Sequence, residues 1–219
     1  MVHHGFRLIS AGALALGLLA ALPPPAAGQL ASRPAEEWGK GLDQPERVAG
    51  LKIDEVIARI GLGPGDVVAD LGAGTGVFSV PMAQAVAPGG KVYAVEVDDG
   101  YFEIIEAKAK AAAVSNVQAV LGEFGDPKLP ARDVDVAFFH DVLHHIEDRA
   151  GYLKTLAGYV KPAGRVVIID LKADQSPHRE QPDLVVSEER VTAWMKAAGF
   201  SRVETIDLFP EKFFLIYSK

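Results

Sequence analysis

The sequence predicts an α/β domain of the doubly wound type: a mostly parallel seven-stranded sheet with an antiparallel last strand and helices on both faces. Three observations predict it. Short runs that are apolar throughout, such as VVADL and VVIID, alternate with stretches whose apolar residues recur at helical spacing. The first run ends in a glycine-rich turn, VVADLGAGTGVFSV over residues 67–80, with Gly72, Gly74 and Gly76 at alternate positions. The last two apolar runs are joined by a short FPE link, which suits antiparallel neighbours rather than a helical crossover.

The elements follow in order. In KIDEVIARI, Ile53, Val56, Ile57 and Ile60 form one helical stripe, ended by Gly61. After the first strand, VFSVPMAQAVA predicts a helix with Pro81 in its first turn. KVYAVEV is a strand, and YFEIIEAKAKAAA is a helix with Phe102, Ile105, Ala109 and Ala112 along one face. VQAVL and DVDVAFF are strands. RAGYLKTLAGYV predicts a helix carrying Leu153, Leu156, Ala157 and Val160, closed by KPAG, with GRVVIID the strand beyond. SEERVTAWMKAAGF begins at Ser187, a predicted N-cap, and places Val191, Trp194, Met195 and Ala198 on a core face. RVETIDL and KFFLIYS close the chain.

Ahead of this domain, residues 1–28 read as a signal peptide. Arg7 precedes an apolar segment from Leu8 to Leu22, and a Pro-rich break ends in Ala26 and Gly28, small residues suited to cleavage. The chain is thus expected to be exported; if the segment stays uncleaved, it would anchor the protein to a membrane instead. With no cysteine in the sequence, a lipoprotein anchor, disulfides and a cysteine nucleophile are excluded. Residues 29–50 read as a linker or a loosely held arm, and residues 51–219 as one domain. A net charge of −7 argues against a nucleic-acid partner. No oligomeric state is specified by the pattern.

In an open parallel sheet, ligands lie beyond the carboxyl ends of the strands, which is where the glycine turn falls. Glycines there permit positive φ and close approach to main chain, and the following helix directs N–H groups at the same spot. The spacing departs from the dinucleotide fingerprint, because Val77 stands where its third glycine belongs. Asp70, directly before the turn, suits a ligand with a positively charged amino group better than a pyrophosphate. Glu96, about 20 residues on, suits ribose hydroxyls.

DLGAGTG resembles the first motif of class I S-adenosylmethionine-dependent methyltransferases, a Rossmann-like family, and the likeness runs over residues 51–219. VYAVEVD, LGEFGDPKLP, DVDVAFFHDVLHHIED and KPAGRVVIID resemble the later motifs in order. The resemblance implies S-adenosyl-L-methionine as cofactor and a small-molecule acceptor. The implied cofactor contacts are Asp70, Gly72, Ala73, Gly74 and Gly76 at the turn, with Glu96 and Val97 at the ribose. Glu123, with Asp126 as the alternative, would face the adenine, and His140 would lie beside the cofactor.

An acceptor that must lose a proton needs a base, for which His144 and His145 are the candidates. His140 and His144 would share a face of a helical loop, but two histidines make an incomplete metal site, so no metal is expected. Trp38 and Arg47 could close over the cofactor, and His178 with Arg179 could bind an anionic group. Two other readings stand beside this one: an exported, non-catalytic binding module on the same fold, and a nicotinamide-dependent oxidoreductase. The second is weakened by Val77 and by the lack of a Tyr-x-x-x-Lys pair near the site.

Overall fold

The computed structural model describes Met1, residues 35–178 and residues 180–219; the expected signal peptide and Arg179 lie outside the described residues. Seven strands form one sheet: β1 (Val67–Leu71), β2 (Lys91–Glu96), β3 (Val117–Leu121), β4 (Val134–His140), β5 (Val160–Leu171), β6 (Ser201–Thr205) and β7 (Lys212–Ser218). Their order is β3-β2-β1-β4-β5-β7-β6. The first five run parallel, and β7 lies antiparallel between β5 and β6. The chain leaves β1 for one half of the sheet and resumes at β4 on its other side. The switch point of the topology therefore lies between β1 and β4, at the glycine turn.

Strand side chains alternate between two apolar layers. Ala69 and Leu71 of β1 and Phe139 of β4 pack on one face with Leu153 and Leu156 of α6 (Arg149–Ala157) and Val191 and Met195 of α7 (Glu188–Ala197). Val68 and Phe138 pack on the other with Val56 and Ile60 of α3 (Ile53–Ile60) and Met82 of α4 (Ser79–Ala85). Double coverage explains why β1 is buried at every residue and is apolar at every position but Asp70. Ile105 and Ala109 of α5 (Phe102–Ala111) are buried as the stripe predicts. Ser187 caps α7, its hydroxyl accepting from the Arg190 N–H. The exposed edge strand β6 carries Arg202 and Glu204, charges that discourage pairing with another chain.

Two expectations change. Val160 does not continue the helical stripe; it begins β5 and pairs with Val134, so KPAG lies within a strand rather than closing a helix. The register shift between Val134 and Val136 absorbs those extra residues. The second change concerns the arm. From Ala35 on it forms α1 (Ala35–Leu42) and α2 (Pro45–Gly50), and it is tied down. The Asp43 carboxylate accepts from the Thr75 hydroxyl and from the Lys108 ammonium, both at 2.6 Å. Local composition did not report this because the tie is made to residues 32 and 65 positions away.

Candidate active site

A cavity of about 600 Å³ opens at the switch point, bounded by the carboxyl ends of β1, β2 and β4, the loop after β3 and the arm. Asp70, Gly72, Ala73, Gly74, Glu96, Val97, Glu123, His140 and His145 all line it. Gly76 and His144 do not. Gly76 serves the turn from behind, where a Cβ would lie 3.2 Å from Ile105 Cγ1.

The glycines are required for shape, because Gly72, Gly74 and Gly76 have φ of +70, +53 and +77°. A Cβ on Gly72 would fall 2.5 Å from Val142 Cγ2. Their N–H groups, however, are spent within the protein. Those of Gly72 and Ala73 donate to the Val95 carbonyl, that of Gly76 to the Ala73 carbonyl, and that of Gly74 to Glu96 Oε1 at 2.6 Å. A pyrophosphate would find carboxylates there in place of N–H groups, which weighs against the nicotinamide reading.

Those carboxylates are costly to bury. Asp70 is 3% exposed and accepts the Ser79 hydroxyl at 2.5 Å. Burial nevertheless pushes its pKa up to about 7, with Glu96 adding repulsion. Burial also raises Glu96, against the pull of the Gly74 and Val97 N–H groups. Tyr101, on the same wall, is pushed up to about 12 by burial and by both Glu96 and Asp98, so its phenol stays protonated. Two acids held above their ordinary range, with an O–H donor beside them, fit a ligand carrying a positive charge and hydroxyls. At the far wall Glu123 is exposed and pairs with Lys128 at 3.2 Å, beside the exposed ring of Phe124. Asp126 is turned away, accepting the Tyr159 hydroxyl at 2.9 Å.

The histidines separate into two groups. His140 lies against Phe78 at a ring distance of 4.9 Å, and burial pulls its pKa down to about 4. His144 sits in a single 3₁₀ turn, Leu143–His145, so it shares no helix face with His140. Its Nδ1 lies 2.7 Å from Asp170 Oδ1, and its backbone N–H donates to Oδ2 of the same carboxylate. His145 lies against His144 with ring centroids 4.0 Å apart and planes tilted by 43°, lines the cavity with His178, and has its pKa brought down to about 4 by burial and then by His144. His144 is thus buried against Asp170, and of the two imidazoles it is His145 that lines the cavity. Trp38 and Arg47 of the arm also line the cavity, whereas Met195 is core and Trp194 packs against it, as predicted.

A methyltransferase domain family model matches residues 62–205. The chain belongs to that family. Among solved structures, the methyltransferase domain resembles a SAM-dependent methyltransferase from Aquifex aeolicus, with 26% identity and a TM-score of 0.75, over 83% of this chain and 97% of that one. It shares its fold with the magnesium protoporphyrin IX methyltransferase of Synechocystis PCC 6803 solved with bound SAM, at 21% identity and a TM-score of 0.61, over 78% and 80% of the chains. Among curated relatives, it is 27% identical over 96 residues to a demethylmenaquinone methyltransferase of Geobacillus sp. strain WCH70, 44% of this chain and 41% of the relative. A Lactococcus lactis enzyme of the same name is 28% identical over 107 residues, covering 49% and 42%. The methyltransferase domain thus spans about two fifths of the length of the curated relatives it matches.

Sequence reasoning missed Asp141, Lys212, Phe78, Phe124 and Asp170. Asp141 and Asp170 carried a usable signal, since each falls at the carboxyl end of a central strand. Lys212 carried none. Only the antiparallel entry of β7 brings its first residue to that end of the sheet, opposite Leu171.

Proposed function

We propose that the domain transfers a methyl group from S-adenosylmethionine to a small hydrophobic acceptor that gives up a proton, with His145 the group that takes it. The observation carrying this reading is that Asp70, Glu96 and His145 line one continuous cavity at the switch point. When bound, the cofactor supplies an activated methyl group on a sulfonium. Asp70 and the arm's Arg47 suit its amino and carboxylate ends, Glu96 its ribose, and Glu123 with Phe124 its adenine. Trp38 and Leu42 close the cavity from the arm side and exclude water from the reacting groups. His145 is neutral at pH 7 and open to a proton, while Asp170 fixes the His144 ring against which it lies.

The relatives named demethylmenaquinone methyltransferases support a quinone-type acceptor in its reduced, hydroxyl-bearing form. The signal-like residues 1–28 support action after export. Calorimetry with S-adenosylmethionine and with NAD tests the cofactor, and release of S-adenosylhomocysteine across an acceptor panel headed by reduced naphthoquinones tests the reaction. Heat with NAD alone would overturn the reading. Tight S-adenosylmethionine binding with no turnover on any hydroxyl-bearing acceptor would favour a binding module.

A further inference from the structure

Tyr152, one position before Leu153 in α6, packs its ring edge-on to Phe139 with centroids 6.2 Å apart. It is 6% exposed, belongs to the same apolar layer as Leu153 and Leu156, and lines the cavity. Packing at such a position needs only bulk, so a phenol rather than a plain phenyl ring calls for a use. Buried tyrosines ordinarily bond their hydroxyl, as Tyr217 does with Thr192 at 3.1 Å. The Tyr152 hydroxyl forms no hydrogen bond among the described residues; burial and nearby charge are all that act on it. Nor is its oxygen sealed in, because the sealed side-chain oxygens left without a partner among those residues are on Asp133 and Asp141. An oxygen neither bonded nor sealed, on a side chain packed in the core, opens into the cavity that the side chain lines.

The surroundings narrow the ligand. The charges that reach the phenol are Asp126, in the loop after β3, and Glu96, at the end of β2. Gly122 and Glu123 of the same loop line the cavity, and Val97 and Phe124 offer it exposed apolar surface suited to a flat ring. The methyltransferase reading gives this part of the cavity to the nucleoside. Burial first, then Asp126 and Glu96, raise the phenol above its ordinary range, so it keeps its proton and can donate. Carboxylates such as Glu96 and Glu123 only accept, which suits ribose hydroxyls and an exocyclic amine. The ring nitrogens of a purine also only accept, and no carboxylate can serve them. We propose that the Tyr152 hydroxyl donates to a ring nitrogen of the cofactor's purine and so helps to select the base. This rests on the methyltransferase reading and adds a specificity-determining residue to it.

The test is calorimetric titration of the full protein with S-adenosylhomocysteine and with its 1-deaza, 3-deaza and 7-deaza analogues, each of which has C–H in place of one ring nitrogen. Tyr152→Phe should weaken S-adenosylhomocysteine binding by roughly 5- to 30-fold, as expected for one hydrogen bond between neutral groups. Toward one of the three analogues, native protein and variant should bind alike, because either change removes the same bond. Toward the other two the full difference should remain. The urea midpoint of the ligand-free variant should not fall, since the hydroxyl bonds nothing within the protein. A variant that binds S-adenosylhomocysteine as the native protein does would overturn the proposal. So would a difference that persists toward all three analogues, which would assign the hydroxyl to another part of the ligand. A lower urea midpoint would overturn it too, by revealing a bond within the protein. Failure of the native protein to bind S-adenosylhomocysteine would defeat the methyltransferase reading itself, and this proposal with it.

Discussion

Replacing Asp70 with Asn should stabilise the ligand-free protein at alkaline pH while crippling its site. Asp70 is buried, and its pKa is raised from 3.8 to about 7 by that burial first of all. A carboxyl whose folded pKa exceeds its unfolded one binds more protons when folded, so stability is highest below the unfolded value and falls as pH rises through the folded one. A rise from 3.8 to about 7 corresponds to about 4 kcal/mol lost by pH 8, of which roughly 2–3 kcal/mol accrues between pH 5 and pH 8. Asn keeps an acceptor for the Ser79 hydroxyl but cannot ionise. Any fixed cost of the new amide is the same at every pH, so the diagnostic is the pH dependence of the difference between variant and native. Urea unfolding at about pH 5 and pH 8 measures it, and the variant should gain on the native protein by that roughly 2–3 kcal/mol. Calorimetry on the same pair should find S-adenosylmethionine affinity reduced in the variant. In the native protein, binding at pH 6 should release a proton, because an ammonium ligand pairs with the ionised carboxylate. A stability difference that stays flat with pH would refute the assignment of a protonated, ligand-poised Asp70.

Gly72→Ala forces a side chain into a left-handed backbone and against Val142; left-handed strain plus overpacking should cost roughly 2–4 kcal/mol, and an unchanged urea midpoint would contradict this. Glu96→Ala removes an acceptor that ties the Gly74 and Val97 N–H groups, and should weaken S-adenosylmethionine binding by roughly 10- to 100-fold in a calorimetric titration. With S-adenosylmethionine held saturating at every pH, so that Asp70 stays ionised in the complex, kcat/KM for the acceptor that the panel identifies should hold steady from neutral pH downward and fall only near the pKa of about 4 of His145. Asn at position 145 should remove that acid limb along with most of the rate, and a limb that persists in the variant would assign it elsewhere. If residues 1–28 act as a cleaved signal, mass spectrometry of the protein purified from its native host should find Gln29 as the first residue; an intact Met1 would instead mean an uncleaved segment.

Local sequence determined most of the architecture and half of the site. Seven apolar runs alternating with amphipathic stripes sufficed for the doubly wound sheet, because side-chain periodicity is dictated by backbone geometry alone. The turn at Gly72, Gly74 and Gly76, flanked by Asp70 and Glu96, was legible for the same reason: positive φ and a strand-end acid are properties of adjacent residues. Tertiary structure decided everything that depends on which distant groups meet. It made KPAG part of β5, since Val160 found a partner in Val134. It pinned the arm through Asp43 to Thr75 and Lys108. It divided the tandem histidines, turning His144 onto Asp170 and leaving His145 to the cavity. Above all it joined Lys212 to Asp141 across 71 residues. A buried charge pair exists only where the sheet order creates the burial, and neither stretch of sequence names its partner.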